Sequence, residues 1–243
     1  MADFRNRNIR IATVSRTDMS IDQGLRSYML GVYNLMAIGL AITAIAAMAM
    51  AWFSFNNMAF AQVVYGSPLR FIIMFSPLIA VLFLSFKIQN LSTSAARTLF
   101  IFYAALVGIS LSSVFLLYTS ASIAQTFFIA AASFGALSLY GYTTKRDLQP
   151  VGSFLFVGII GLLIASVLNI FLASGSLQLV ISVIGVFIFA GLTAYDTQAI
   201  KEMYYEGDSS DAKGRKIIMG ALKLYLDFIN MFVFLLHFVG DRD

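Results

Sequence analysis

Seven apolar runs, at about 29–54, 70–86, 98–118, 122–141, 153–172, 177–200 and 218–239, follow one another with only short polar breaks. A hydrocarbon layer about 30 Å thick takes about 20 apolar residues to cross as a helix. Each run is read as such a helix, because open strands would leave backbone groups unpaired in lipid. The chain is therefore expected to be an all-α polytopic membrane protein with seven transmembrane helices. With 60% hydrophobic and 12% charged residues in 243, no room remains for a second, soluble domain. Pro77 falls inside the second run and should kink it by deleting one backbone hydrogen bond.

The division that follows is a polar leader over 1–27, a single seven-helix domain over 28–240 and a short tail over 241–243. The leader reads as flexible. Ala44-Ile-Ala46 has the look of a signal cleavage site, but the apolar run continues past it to Phe55. Alternating the loops across the bilayer puts Arg5, Arg7, Arg10, Arg16, Arg26, Lys87, Arg97, Lys145, Arg146, Lys201, Lys213, Arg215 and Lys216 on one side. The other side holds Arg70 and Arg242, while Lys223 falls within the last run. By the positive-inside rule the N-terminus is expected in the cytoplasm and the C-terminus outside, in what is expected to be a bacterial inner membrane.

Composition also removes functions. The absence of cysteine excludes disulfides and thiolate chemistry, and one histidine, His237, is no basis for a zinc or haem site, so no resident cofactor is expected. No basic patch interleaved with aromatics suggests nucleic acid. Small residues in the first run (Ala37, Ala41, Ala44, Ala47, Ala51) and Gly158 and Gly161 in the fifth read as close helix contacts.

Two carboxylates are left inside the runs. Asp196 lies in Gly191-Leu-Thr-Ala-Tyr-Asp-Thr-Gln198 and Asp227 in Leu224-Tyr-Leu-Asp-Phe-Ile-Asn230. An ionisable group within a span is a functional-site hypothesis in its own right. From the leader-side helix ends, Asp196 is roughly 6 Å deep and Asp227 roughly 13 Å at the helical rise per residue, so adjacent antiparallel helices could bring them together. Lys223, Asp227, Asn230, Phe234 and His237 share one helix face, and Ser182, Gly185, Phe189, Thr193 and Asp196 form its counterpart. Two carboxylates in low dielectric cannot both ionise cheaply, so the pair should share a proton and attract a Lys, an Arg or a hard cation such as calcium. The plainer alternative pairs Asp196 with Lys201 and Asp227 with Lys223.

These two stretches resemble the signature of the transmembrane Bax-inhibitor-motif (Bax inhibitor-1) family, and the resemblance covers all seven runs in number and order. It implies two three-helix layers around a central seventh helix. It also implies a pH-sensitive calcium leak with Asp196 and Asp227 as sensor and transient calcium site. In the family a basic residue at the inner end of the second helix latches onto the pair, which points to Lys87 in Phe86-Lys-Ile-Gln-Asn90, with Arg97 behind it. Thr193, Lys223 and Asn230 are the supporting polar groups. In the expected gate, the ionised pair captures the latch at higher pH and closes; the opposite sign, in which protonation removes the cation's ligand, is left open. The expected partners are the lipid bilayer, calcium and protons.

Two other classes compete. A regulator without transport would act by binding another membrane protein such as a membrane-bound protease, through the leader or the loop from Lys201 to Lys216. An intramembrane aspartyl protease also uses a Tyr-Asp pair, as in Tyr195-Asp196, but Tyr225-Leu-Asp227 lacks the flanking glycines of its second motif. The enzyme reading is therefore set aside in favour of the channel.

Overall fold

The computed structural model describes residues 3–241, with side chains from Gln23 onward apart from Gln89. The charges of Arg5, Arg7, Arg10, Arg16 and Arg242 in the topology count lie outside that set. In chain order the helices are α1 (Asp3–Asn56), α2 (Met58–Gly66), α3 (Leu69–Lys87), α4 (Thr93–Leu111), α5 (Val114–Leu117), α6 (Ser120–Thr143), α7 (Gln149–Leu172), α8 (Gly175–Glu202) and α9 (Ser210–Val239), with a 3-10 turn at Ile88–Asn90. Seven stretches are long and apolar enough to span a membrane: Gln23–Asn56, α3, Thr93–Leu117, α6, α7, α8 and α9. They coincide with the seven runs.

The layers follow from which helices touch. α1, α3 and α4 pack into one group, α6, α7 and α8 into a second, and α9 meets α1 and α4 on one side and α6 and α8 on the other. It is the most buried of the spans. Tyr225 shows how α9 is held: its ring meets those of Phe100 and Tyr103 edge-on at 5.7 and 5.8 Å. The Thr43 hydroxyl donates to the Ala104 carbonyl at 2.9 Å, so Tyr225 must donate to Thr43 at 2.6 Å. One buried hydroxyl pair thus ties α1, α4 and α9 together, with every polar atom satisfied.

Close approaches occur where glycine removes the side chain. A Cβ on Gly108 would collide with the Thr43 carbonyl of α1, and one on Gly141 of α6 with the Ala194 carbonyl of α8. Gly158 does sit against Ile188, but a Cβ on Gly161 would meet nothing within 4 Å. In α1, Ala37, Ala41 and Ala44 are exposed and only Ala47 and Ala51 are buried. A small side chain permits close packing without requiring it.

Three further features depart from the sequence reading, and a fourth, at Pro77, shows how the expected loss of a backbone hydrogen bond is met. α1 runs back to Asp3, so the leader is helical rather than irregular. The short α2 was not expected; the Asn57 side chain caps it, accepting from the Phe60 amide at 3.0 Å, and the Tyr65 hydroxyl pairs with Ser112 at 2.7 Å. α3 runs through Pro77, and the Ser76 hydroxyl donates at 3.0 Å to the Ile73 carbonyl that the proline leaves without an N–H. α9 begins at Ser210, capped by Ser209, so Lys213, Arg215 and Lys216 are helical rather than in a loop. The remaining turn is tied down: Lys216 bonds the Met203 carbonyl at 2.8 Å and the Asp208 carboxylate at 2.5 Å, and Tyr204 packs on Tyr28 at 5.6 Å. It is a poorer docking surface than an open loop would be.

Candidate functional site

Most residues of the Gly191 to Gln198 stretch have a job that their position on α8 dictates. Gly191 lets Leu155 of α7 approach, and Ala194 lies under Gly141 of α6. The Thr197 hydroxyl donates to the Thr193 carbonyl at 2.7 Å, so Ser138 of α6 donates to Thr197 at 3.0 Å and Tyr33 of α1 donates to Ser138 at 2.5 Å. This relay crosses three helices in the core. Gln198 clamps the α6–α7 connection from both ends of its amide, donating to the Arg146 carbonyl and accepting from the Leu148 amide, each at 2.8 Å. Gln198→Ala should cost about 1–2 kcal/mol through two lost buried hydrogen bonds. Thermal unfolding in detergent and protease sensitivity at residues 144–148 both read that loss.

Tyr195 and Asp196 point the other way, into a cavity of about 680 Å³ between α7, α8 and α9. Gly152 of α7 makes room for the Tyr195 ring. From α9 the cavity receives Lys223, Asp227 and Asn230, so the expected polar stripe does line one wall. Deeper in, the stripes of α8 and α9 meet: Gly185 accommodates the Phe234 ring, which stacks on Phe189 at 5.8 Å.

Asp196 forms an ion pair with Lys223, Oδ1 to Nζ at 3.1 Å, with 13% of the aspartate side chain and 42% of the lysine exposed. Asp227, one helical turn along from Lys223, is only 4% exposed. Its carboxyl lies within reach of Asp196, while its Oδ2 has no hydrogen-bond partner. A buried unpaired carboxylate oxygen is costly.

Neither pairing of the plainer alternative is found among the described residues. Lys223 serves Asp196 rather than Asp227, and Lys201 donates to the Tyr142 carbonyl at 2.9 Å instead of reaching Asp196. Lys87 and Arg97 are exposed, do not line the cavity, and make no ion pair among the described residues. The cause is helical phase. Leu84 and Ile88 carry the buried face around the end of α3, and Ala96 and Phe100 that of α4, which turns both cations away. Thr193 is fully buried with its hydroxyl donated to the Phe189 carbonyl at 2.8 Å, so it takes no part in the cavity. Asn230 does: its amide N–H bonds the Leu226 carbonyl at 2.8 Å, leaving the side-chain oxygen for the cavity. The four groups that Gln198 and Ser138 bridge were not singled out from sequence; Ser138 on α6 and the adjacent Thr197 and Gln198 on α8 were the available signal.

Among the described residues, no cluster of three or more His, Cys, Asp and Glu side chains could hold a metal. Calcium takes six to eight oxygens. Asp196, Asp227 and Asn230 could together offer at most five, so water would have to complete the shell of such an ion.

Comparison with known proteins agrees with this architecture. The chain is 46% identical to the inner membrane protein YbhL of Escherichia coli K12, over 90% of this chain and 93% of that one. It is 45% identical to an uncharacterized protein of Caulobacter vibrioides, over 100% of this chain and 99% of the relative. A further relative from Rickettsia prowazekii, also uncharacterized, is 45% identical over 95% and 96% of the two chains. A family profile described as "Inhibitor of apoptosis-promoting Bax1" matches residues 25–243, and the chain, an integral membrane protein of seven apolar helices, belongs to the Bax inhibitor-1 family.

Proposed function

We propose that this protein is a pH-sensitive calcium leak pathway of a bacterial inner membrane, with the leader on the cytoplasmic side and Asp196 and Asp227 as proton sensor and transient cation site. The observation that carries the reading is the Asp227 carboxyl. It is buried within the helix bundle, lies within reach of a second carboxyl beside a 680 Å³ cavity, and has one oxygen without a partner. Packing alone has no use for such a group.

Lys223 takes the role that the sequence assigned to Lys87. Its ammonium occupies the place a cation would take on Asp196. While the carboxyl pair keeps a negative charge, Lys223 stays and the path is closed. Protonation of the pair removes the charge that holds the lysine, so the leak grows as pH falls. The sign follows from the ion pair, which needs a negative charge beside the lysine.

In proteoliposomes held between about pH 6 and 8, Asp196→Asn and Asp227→Asn should each retain their fold and lose the pH dependence of calcium flux. If both variants titrated like the wild type, the pair would not be the sensor. Were flux absent in every sample, including the wild type, regulation of another membrane protein would be the better reading.

A further inference from the structure

A second cavity of about 560 Å³ lies between α1 and α6, away from the aspartates. Its wall is mostly carbon, contributed by Leu30 of α1 and Leu139 of α6 among others. Gly135 faces it with nothing within 4 Å of where a Cβ would stand, so α6 leaves it open at that point. Toward its base, the Tyr33 hydroxyl bonds Ser138 at 2.5 Å, which joins the two helices there. From Arg26 to Tyr33 the groove runs along α1 for about 10 Å at the helical rise. It therefore follows the direction of a lipid tail.

Its charge is at one end. Arg26 borders the groove, is exposed, and makes no ion pair among the described residues. Tyr142 borders the same end, and the Lys201 ammonium sits 5.3 Å over the Tyr142 ring while donating to its carbonyl. Lys201 likewise has no carboxylate partner among the described residues. Two cations without a carboxylate partner among the described residues thus stand near one end of an apolar groove between membrane helices, close to the start of the first span. An apolar groove open to lipid is filled by an acyl chain, and cations at its headgroup end select among lipids by charge.

We propose that the α1–α6 groove is a binding site for a phospholipid with an anionic headgroup. One acyl chain lies along Leu30, Gly135 and Leu139, and the phosphate sits by Arg26 and Lys201. The site stands independently of any ion path through the aspartate cavity.

The test is native mass spectrometry of the full chain released from detergent micelles, titrated with phosphatidylglycerol or with phosphatidylcholine of the same acyl chains. The wild type should retain phosphatidylglycerol about fivefold better, and Arg26→Gln should lose most of that preference, on the scale of one basic group at a membrane surface. Gly135→Phe, which fills the open wall, should reduce retention of both lipids. Equal retention of the two lipids by the wild type, or an unchanged preference in Arg26→Gln, would overturn the proposal. Should Gly135→Phe fail to fold, Arg26→Gln, at an exposed position, still decides it.

Discussion

Replacing Lys223 with glutamine should raise the calcium leak at neutral pH by about tenfold and flatten its dependence on pH. The lysine is nearly half exposed, so its contact with Asp196 is screened and lies near the upper end of the range for exposed pairs, about 1 kcal/mol, with a further contribution from the buried side of the aspartate. About 1.4 kcal/mol in a two-state gate is about a factor of ten in open population. The same substitution leaves Asp196 and Asp227 facing each other without a counter-charge, so a larger share of the molecules must carry extra protons or a cation. Flux measured at two pH values separates the outcomes. A variant that leaks less than the wild type at neutral pH would show that Lys223 helps the ion through rather than blocking it. Lys87→Gln, by contrast, should change little, because Lys87 is turned away from the cavity.

The second large effect belongs to packing. Gly141→Ala should destabilise the folded protein by about 2–3 kcal/mol, because the added methyl group meets the Ala194 backbone carbonyl rather than a side chain that can move aside. α6 and α8 would have to separate. Separation would also strain the Ser138–Thr197 hydrogen bond at 3.0 Å, so the relay from α1 to α8 weakens at the same time. Gly161→Ala is the matched control: nothing lies within 4 Å, and the change should fall within about 0.5 kcal/mol of the wild type or stabilise slightly through helix propensity. Thermal unfolding of both variants in one detergent reads the difference directly.

The sequence carried the spans because hydrophobic length is a local property, and the seven stretches agree with the helices to within a few residues over most of their ends. It carried the two aspartates for the same reason: charge inside a run is visible without coordinates. The seating of α9 between the layers was implied by the resemblance and by the facing polar stripes of α8 and α9, and Tyr225 gives a physical cause, since one hydroxyl and two ring contacts join three helices at that residue.

What was not legible depends on rotation about helix axes. Lys87 and Lys223 are both lysines on the leader-side half of the spans, and spacing alone does not say which one faces Asp196. The buried pairs Leu84 with Ile88 and Ala96 with Phe100 settle it once the helices are placed. Thr193 shares a face with Asp196 by spacing, yet its hydroxyl is spent on the preceding turn of its own helix, a competition that any mid-helix threonine can enter. Gly161 and Gly108 look alike in sequence, and only the neighbour across the interface separates a required glycine from a permitted one. The helix in the leader and the short α2 lacked the long apolar run on which the reading relied.

The most direct measurement is calcium flux through the purified wild-type chain in liposomes, with pH stepped from about 8 to about 6 on the side facing the leader. The account predicts a flux above protein-free liposomes that rises as pH falls and returns when pH is restored. A flux that is indifferent to pH, or one that falls on acidification, would contradict the Lys223 gate.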